Sequence, residues 1–143
     1  MVVVIDPQVA GVSGDMLLCS LVDLGANKEK IIQGIKSIAK FLPNSKINKI
    51  EFNKIDKRGI EATELLLDIS EDVHERKGIE IKKAILDSTV HLGLSEKAKS
   101  FAKSCVDALI NSEAKIHGVS VDSVHFHVSL SEYEKESHPL HNY

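Results

Sequence analysis

The segment "EAKIHGVSVDSVHFHV" carries three histidines, His117, His125 and His127, within eleven positions. Side chains alternate along an extended chain, so His125 and His127 would project from one face and Phe126 from the other. Two imidazoles on one face could share a cation. Imidazole suits Zn, Ni, Cu and Fe, with geometry selecting among them. His117 falls at the end of a helical pattern, where the helix dipole favours an imidazolium, and it could turn back toward the same pocket. Glu113 lies four residues earlier on the same helix face, where it could orient His117. The spacing equally fits a second reading: strand imidazoles satisfied by backbone or carboxylate partners, with Glu113 a solvated helix charge. His74 and His91 read as surface residues, and His138 and His141 fall in a tail without periodicity.

A second candidate region is the loop "DPQVAGVSGDM". Gly11 and Gly14 allow close backbone approach or positive φ. Free N–H groups at the following helix start could hold a phosphate, although Asp15 in the first turn already occupies the favourable dipole site and repels an anion. Asp6 and Asp15 could jointly hold a hard divalent ion such as Mg or Mn. Alternatively, Asp6 is a turn former and Asp15 satisfies the dipole. The Walker and G-x-G-x-x-G patterns are absent.

These residues need elements to position them. Val2 to Ile5 is a wholly apolar, β-branched run that predicts a strand buried on both faces, stopped at Asp6-Pro7. Ser13 is placed to cap a helix from about Gly14 to Leu24, apolar nearly all round and expected in the core. Asn27 caps a second helix to about Leu42, with Ile31, Ile35, Ile38 and Leu42 as its stripe. "KIEFNKI" and "IEATELLLDI" alternate with period two across "DKRG" and predict a β-hairpin. "SEDVHERKG" reads as a polar connection. A third helix is expected from about Ile79 to Leu92. Ser95 caps a fourth to about Ile116, with Ala98, Phe101, Ala102, Cys105, Leu109 and Ile116 on one stripe. "VDSVHFHV" reads as a last strand. The predicted class is α+β, a mostly antiparallel sheet with helices packed on one face in the order β-α-α-β-β-α-α-β. Residues 1–128 are expected to form a single domain and residues 129–143 a loose polar tail.

Composition narrows the function. The chain has 143 residues, 43% hydrophobic and 27% charged, with a formal net charge of −3. No strong positive field invites nucleic acid, and four Phe, two Tyr and no Trp leave little to stack on bases. Cys19 and Cys105 form no C-x-x-C and read as buried thiols in a reducing compartment. The apolar start is too short for a signal peptide or a membrane span, so a cytoplasmic protein is expected.

Two stretches together suggest a family. "IDPQVAGVSGDMLLCSLVDLG" resembles the opening of the LarC-type nickel-insertion proteins: a strand, a short loop, and Ser-Gly-Asp-Met before an apolar helix ending in Asp-Leu-Gly. "EAKIHGVSVDSVHFH" is similar to their second signature, and "DKRGIEATELLLDI" looks like their hairpin. The resemblance covers residues 1 to about 127. It implies a nickel chelatase that inserts nickel into pyridinium-3,5-bisthiocarboxylic acid mononucleotide, giving the nickel-pincer nucleotide cofactor. That reaction consumes CTP with a divalent metal, Mg or Mn. The matched positions are Asp6, Gly11, Ser13, Gly14, Asp15 and Met16, then Glu113, His117, Gly118, His125, Phe126 and His127. The resemblance thereby gives the first loop a purpose, since a mononucleotide has a phosphate to hold.

Three departures stand out. Val128 occupies the place of the family's acidic residue after His-Phe-His. Only His74 remains of the histidine-rich loop after the hairpin. The family's carboxy-terminal part, to which CTP binding is attributed, has no counterpart here. The expected function is therefore an amino-terminal domain binding nickel through His125 and His127 with His117 assisting, and the mononucleotide near Asp6, Gly11, Ser13, Gly14 and Asp15. The alternative is a non-catalytic docking module for a carboxy-terminal half supplied as a separate chain. A metal-dependent hydrolase built on Asp6 and Asp15 ranks last, because no nucleophile or base accompanies them.

Overall fold

The computed structural model describes residues 4–6, 8 and 11–127. They divide into two compact units, the first within residues 1–33 and 49–67, the second within residues 34–48 and 68–143. Each is taken by itself. Among the described residues, four helices and two antiparallel two-stranded sheets give the mixed α+β class. The expected antiparallel pairing is thus present, divided between two small sheets. No helix among the described residues is long and apolar enough to cross a membrane.

In the first unit, helix α1 spans Gly14–Asp23. It is followed by the opening turns of α2 (Lys28–Phe41), where the Asn27 side chain accepts the Lys30 N–H at 2.9 Å, the expected cap. Strands β1 (Ser45–Lys57) and β2 (Ile60–Glu71) form the hairpin, of which residues 49–67 belong to this unit. Its two connecting residues, Arg58 and Gly59, have φ of 58° and 81°. Positive φ at both central positions is the type I′ pattern, whose twist matches that of the strands it joins. The Asp23 carboxylate at the end of α1 receives the Lys54 ammonium at 2.7 Å and the Thr63 hydroxyl, tying α1 to the hairpin. Lys54 first, then Thr63, hold its carboxyl below the usual range.

Two expectations change here. Val4 and Ile5 are not in a strand, and Val4 is 82% exposed; the remainder of that predicted strand lies outside the described residues. Of the residues in α1 only Cys19 is buried, while Met16 and Leu21 are exposed. An apolar run sets a helix's composition without specifying what covers each side.

In the second unit, β3 (Glu75–Lys77) leads directly into α3 (Gly78–His91). Helix α4 (Glu96–His117) follows. After a 3₁₀ turn at Val121–Ser123 comes β4 (His125–His127). Ser95 caps α4 by accepting the Ala98 N–H at 3.3 Å, and Gly118 ends it with φ of 64°. Val106, Ile110 and Ala114 of α4 form the core with Val124, and Ile85 and Phe126 pack against it. The buried stripe of α4 is therefore rotated from the one expected. Phe101 and Ile116 are 72% and 74% exposed, and Cys105 is exposed rather than buried. The helix carries apolar residues on more than one face, and only packing chooses between them.

The segment "SEDVHERKG" also differs from the polar connection expected, because β3 lies inside it. Arg76 anchors β3. Its guanidinium reaches the Glu71 carboxylate at 2.6 and 2.9 Å and the Pro43 carbonyl at 2.6 Å, and the Ser45 hydroxyl donates to Glu71. Both charged side chains are nearly excluded from solvent, at 6% and 9% exposure. Residues 128–143, which include the predicted loose tail, lie outside the described residues.

Candidate metal centre

Strand β3 pairs antiparallel with β4 in the register Glu75 to His127, Arg76 to Phe126 and Lys77 to His125. Partners in such a pair share a face. Glu75, Lys77, His125 and His127 are consequently on one side, exposed, while Arg76 and Phe126 turn inward. The period-two reading of His-Phe-His is the arrangement found. What holds the ribbon in place lies just beyond it. The Gly78 N–H donates to the Val124 carbonyl at 2.8 Å, extending the ladder by one bond. A Cβ at Gly78 would stand 3.2 Å from Ile110 and 3.4 Å from Phe126, so this position must be small for the strand to sit so close to α4.

One open cavity of about 430 Å³ is lined by Glu75, Glu113, His117, His125, Phe126 and His127, with Val119, Ser123 and Val124. The structure thus brings together on one cavity the three histidines singled out above and Glu113. It adds Glu75, which sequence reasoning missed. The only signal for Glu75 was its place in a charged segment that pairs with β4.

His125 makes a hydrogen bond, and His117 and His127 each stand within ion-pair distance of a carboxylate. A carbonyl can only accept, so the 2.8 Å contact between His125 Nδ1 and the Ser123 carbonyl requires an Nδ1–H, which in the neutral ring leaves the lone pair on Nε2. His127 Nδ1 lies 3.4 Å from Glu75 Oε1, and His117 Nε2 lies 3.2 Å from Glu113 Oε2. Imidazoles steered by a carbonyl or carboxylate on one nitrogen and free on the other are the arrangement metal-binding histidines use. The side chains do not close on one point: among the described residues no three His, Cys, Asp or Glu groups form a ready-made cluster.

The amino-terminal loop belongs to the first unit. Asp6 accepts the Gln8 N–H at 2.9 Å, the behaviour of a turn former. Gly11 has φ of 71°, a conformation that favours glycine. Ser13 stands at the N-cap of α1 with an extended backbone, but its side chain makes no cap hydrogen bond. Its hydroxyl donates instead to the Asp15 carboxylate. That bond, with the Met16 backbone N–H, holds the Asp15 carboxyl below the usual range. Space at the loop is open, since a Cβ on Gly11 or Gly14 would meet nothing within 4 Å.

Sequence comparison supplies the family. Residues 3–130 match the family described as nickel insertion protein. The chain belongs to that family. Among curated relatives, a pyridinium-3,5-bisthiocarboxylic acid mononucleotide nickel insertion protein of Staphylococcus epidermidis is 45% identical over 118 residues. Proteins of the same name from Staphylococcus saprophyticus and Geobacillus kaustophilus are 40% and 33% identical over 118 and 124 residues. Each match covers 82% of this chain but only 28–29% of the relative, so the chain corresponds to the amino-terminal part of those proteins. No solved structure matches the chain.

Proposed function

We propose that this chain is the nickel-binding amino-terminal domain of a cytoplasmic nickel-insertion protein serving the nickel-pincer nucleotide cofactor. Nickel, here the cargo, is held by His125 and His127 with His117 assisting and Glu113 orienting His117. The observation that carries the reading is the shared cavity, on which two imidazoles of one strand face stand beside a third from α4. Neutral imidazole nitrogens are suitable donors for Ni. The pyridinium mononucleotide named in the relatives is assigned to Asp6, Gly11, Ser13, Gly14 and Asp15. Unhindered glycines and the helix start offer backbone N–H groups to its phosphate, and the Asp15 charge would call for a bridging Mg or Mn. Residues 1–128 are taken as one domain, because α2 and both hairpin strands have residues in both units.

Nickel titration by calorimetry on the wild type and on a His125→Ala/His127→Ala variant tests the metal assignment. Uptake by the wild type and its loss in the variant is the expected result; equal uptake by both would remove the pair as ligands. The length of the relatives favours a second reading, in which the chain is a docking module that depends on a carboxy-terminal half. In that case the wild type takes up no nickel alone, and the relatives' remaining segment, supplied as a separate chain, raises its melting temperature.

A further inference from the structure

We infer that Glu75 is a positioning residue of the metal centre: its carboxylate sets the His127 ring so that Nε2, not Nδ1, is presented to the ion. The inference rests on the nickel reading above and adds a residue from a different strand to it. Glu75 Oε1 is 3.4 Å from His127 Nδ1, and register puts the two residues directly opposite each other. A carboxylate only accepts, so in a neutral His127 ring this contact favours the proton on Nδ1, with the lone pair on Nε2. His125 reaches the same tautomer by a different route, through the Ser123 carbonyl. Two rings on one face, two positions apart, then present the same atom, Nε2.

Charge on the same face points the same way. Lys77 stands opposite His125 and Glu75 opposite His127, so the ribbon has a positive and a negative end. Glu113 and His117 line the same cavity as Glu75, so a second carboxylate faces it. A cation is favoured there, where the Glu75 charge both steers the ring and raises its basicity as a ligand.

Two measurements on the full chain test this. The first reads the neutral His127 ring by nitrogen-15 NMR, without metal. The wild type is expected to hold the proton on Nδ1, and Glu75→Ala to shift it toward Nε2. The second is calorimetric titration with nickel chloride. Glu75→Ala should weaken binding about 10- to 100-fold, the usual cost of losing such a partner. Glu75→Gln, which still accepts a hydrogen bond but carries no charge, should fall between the two. Neither substitution should weaken binding further once His127 is alanine. Glu75 is half exposed, so both variants should keep the wild-type circular dichroism. An unchanged His127 tautomer in Glu75→Ala overturns the inference, as does an equal loss of affinity with and without His127. A wild type that takes up no nickel sinks the metal reading instead, and the ring measurement still judges Glu75.

Discussion

Three carboxylates, Asp15, Asp23 and Asp107, sit below the usual carboxylate range, each because a partner favours the charged form. For Asp107 the partners are the Lys103 and Lys82 ammonium groups, both at 2.6 Å. A depressed folded-state pKa contributes stability that is fully present above the unfolded value, about 4 for a carboxylate, and is lost as pH falls through the folded value. The melting temperature is therefore expected to fall on the acid side of neutrality, and Asp23→Asn to make that fall shallower; thermal melts across an acid pH series would show it. At this scale the sequence was a good guide where the chemistry is local. The alternation that puts His125 and His127 together needs only neighbouring residues. Glu75 could not be found that way, because it stands near His127 only through a strand pairing between distant segments.

At the scale of elements, the helix ends were legible and the faces were not. Asn27, Ser95 and Gly118 stop or start helices by bonding and backbone geometry within a few residues. Ser13 holds the right place, but its hydroxyl is turned to Asp15. Which face of α4 is buried depends on α3 and β4, so Val106, Ile110 and Ala114 took the positions expected of Phe101, Cys105 and Leu109. Strand β3 has no apolar alternation to announce it. Its central residue is a buried arginine whose partners, Glu71 and Pro43, lie elsewhere in the chain. Removing one member of a buried pair strands the other charge, at a cost of about 3–5 kcal/mol. Arg76→Met should destabilise the chain by that order in urea unfolding, with nickel uptake lost in proportion to the unfolded fraction. Replacing Arg76 and Glu71 together by Met and Leu should cost less than Arg76→Met alone.

For the whole molecule, extent decides what can be expected of it. The chain spans 28–29% of the curated relatives compared above. On the proposed reading, the 143-residue chain should bind nickel without turning over CTP, and turnover should appear only when the remaining segment of the Staphylococcus epidermidis relative is added. CTP hydrolysis by the chain alone would show that the division of labour assumed here is wrong.

The inward ring of Phe126 bears on all of this. It lies between the two histidines in sequence, against Ile110 and beside Gly78. Sliding β4 by a single place would push imidazoles into that greasy slot and expel the phenyl group into water, since one step exchanges the two sides of a strand. A ribbon of three residues is too short to fix its own alignment through ladder bonds. The phenyl group acts as the key that lets it seat one way only, so the placement of the His125 and His127 rings is enforced from the greasy side of the strand.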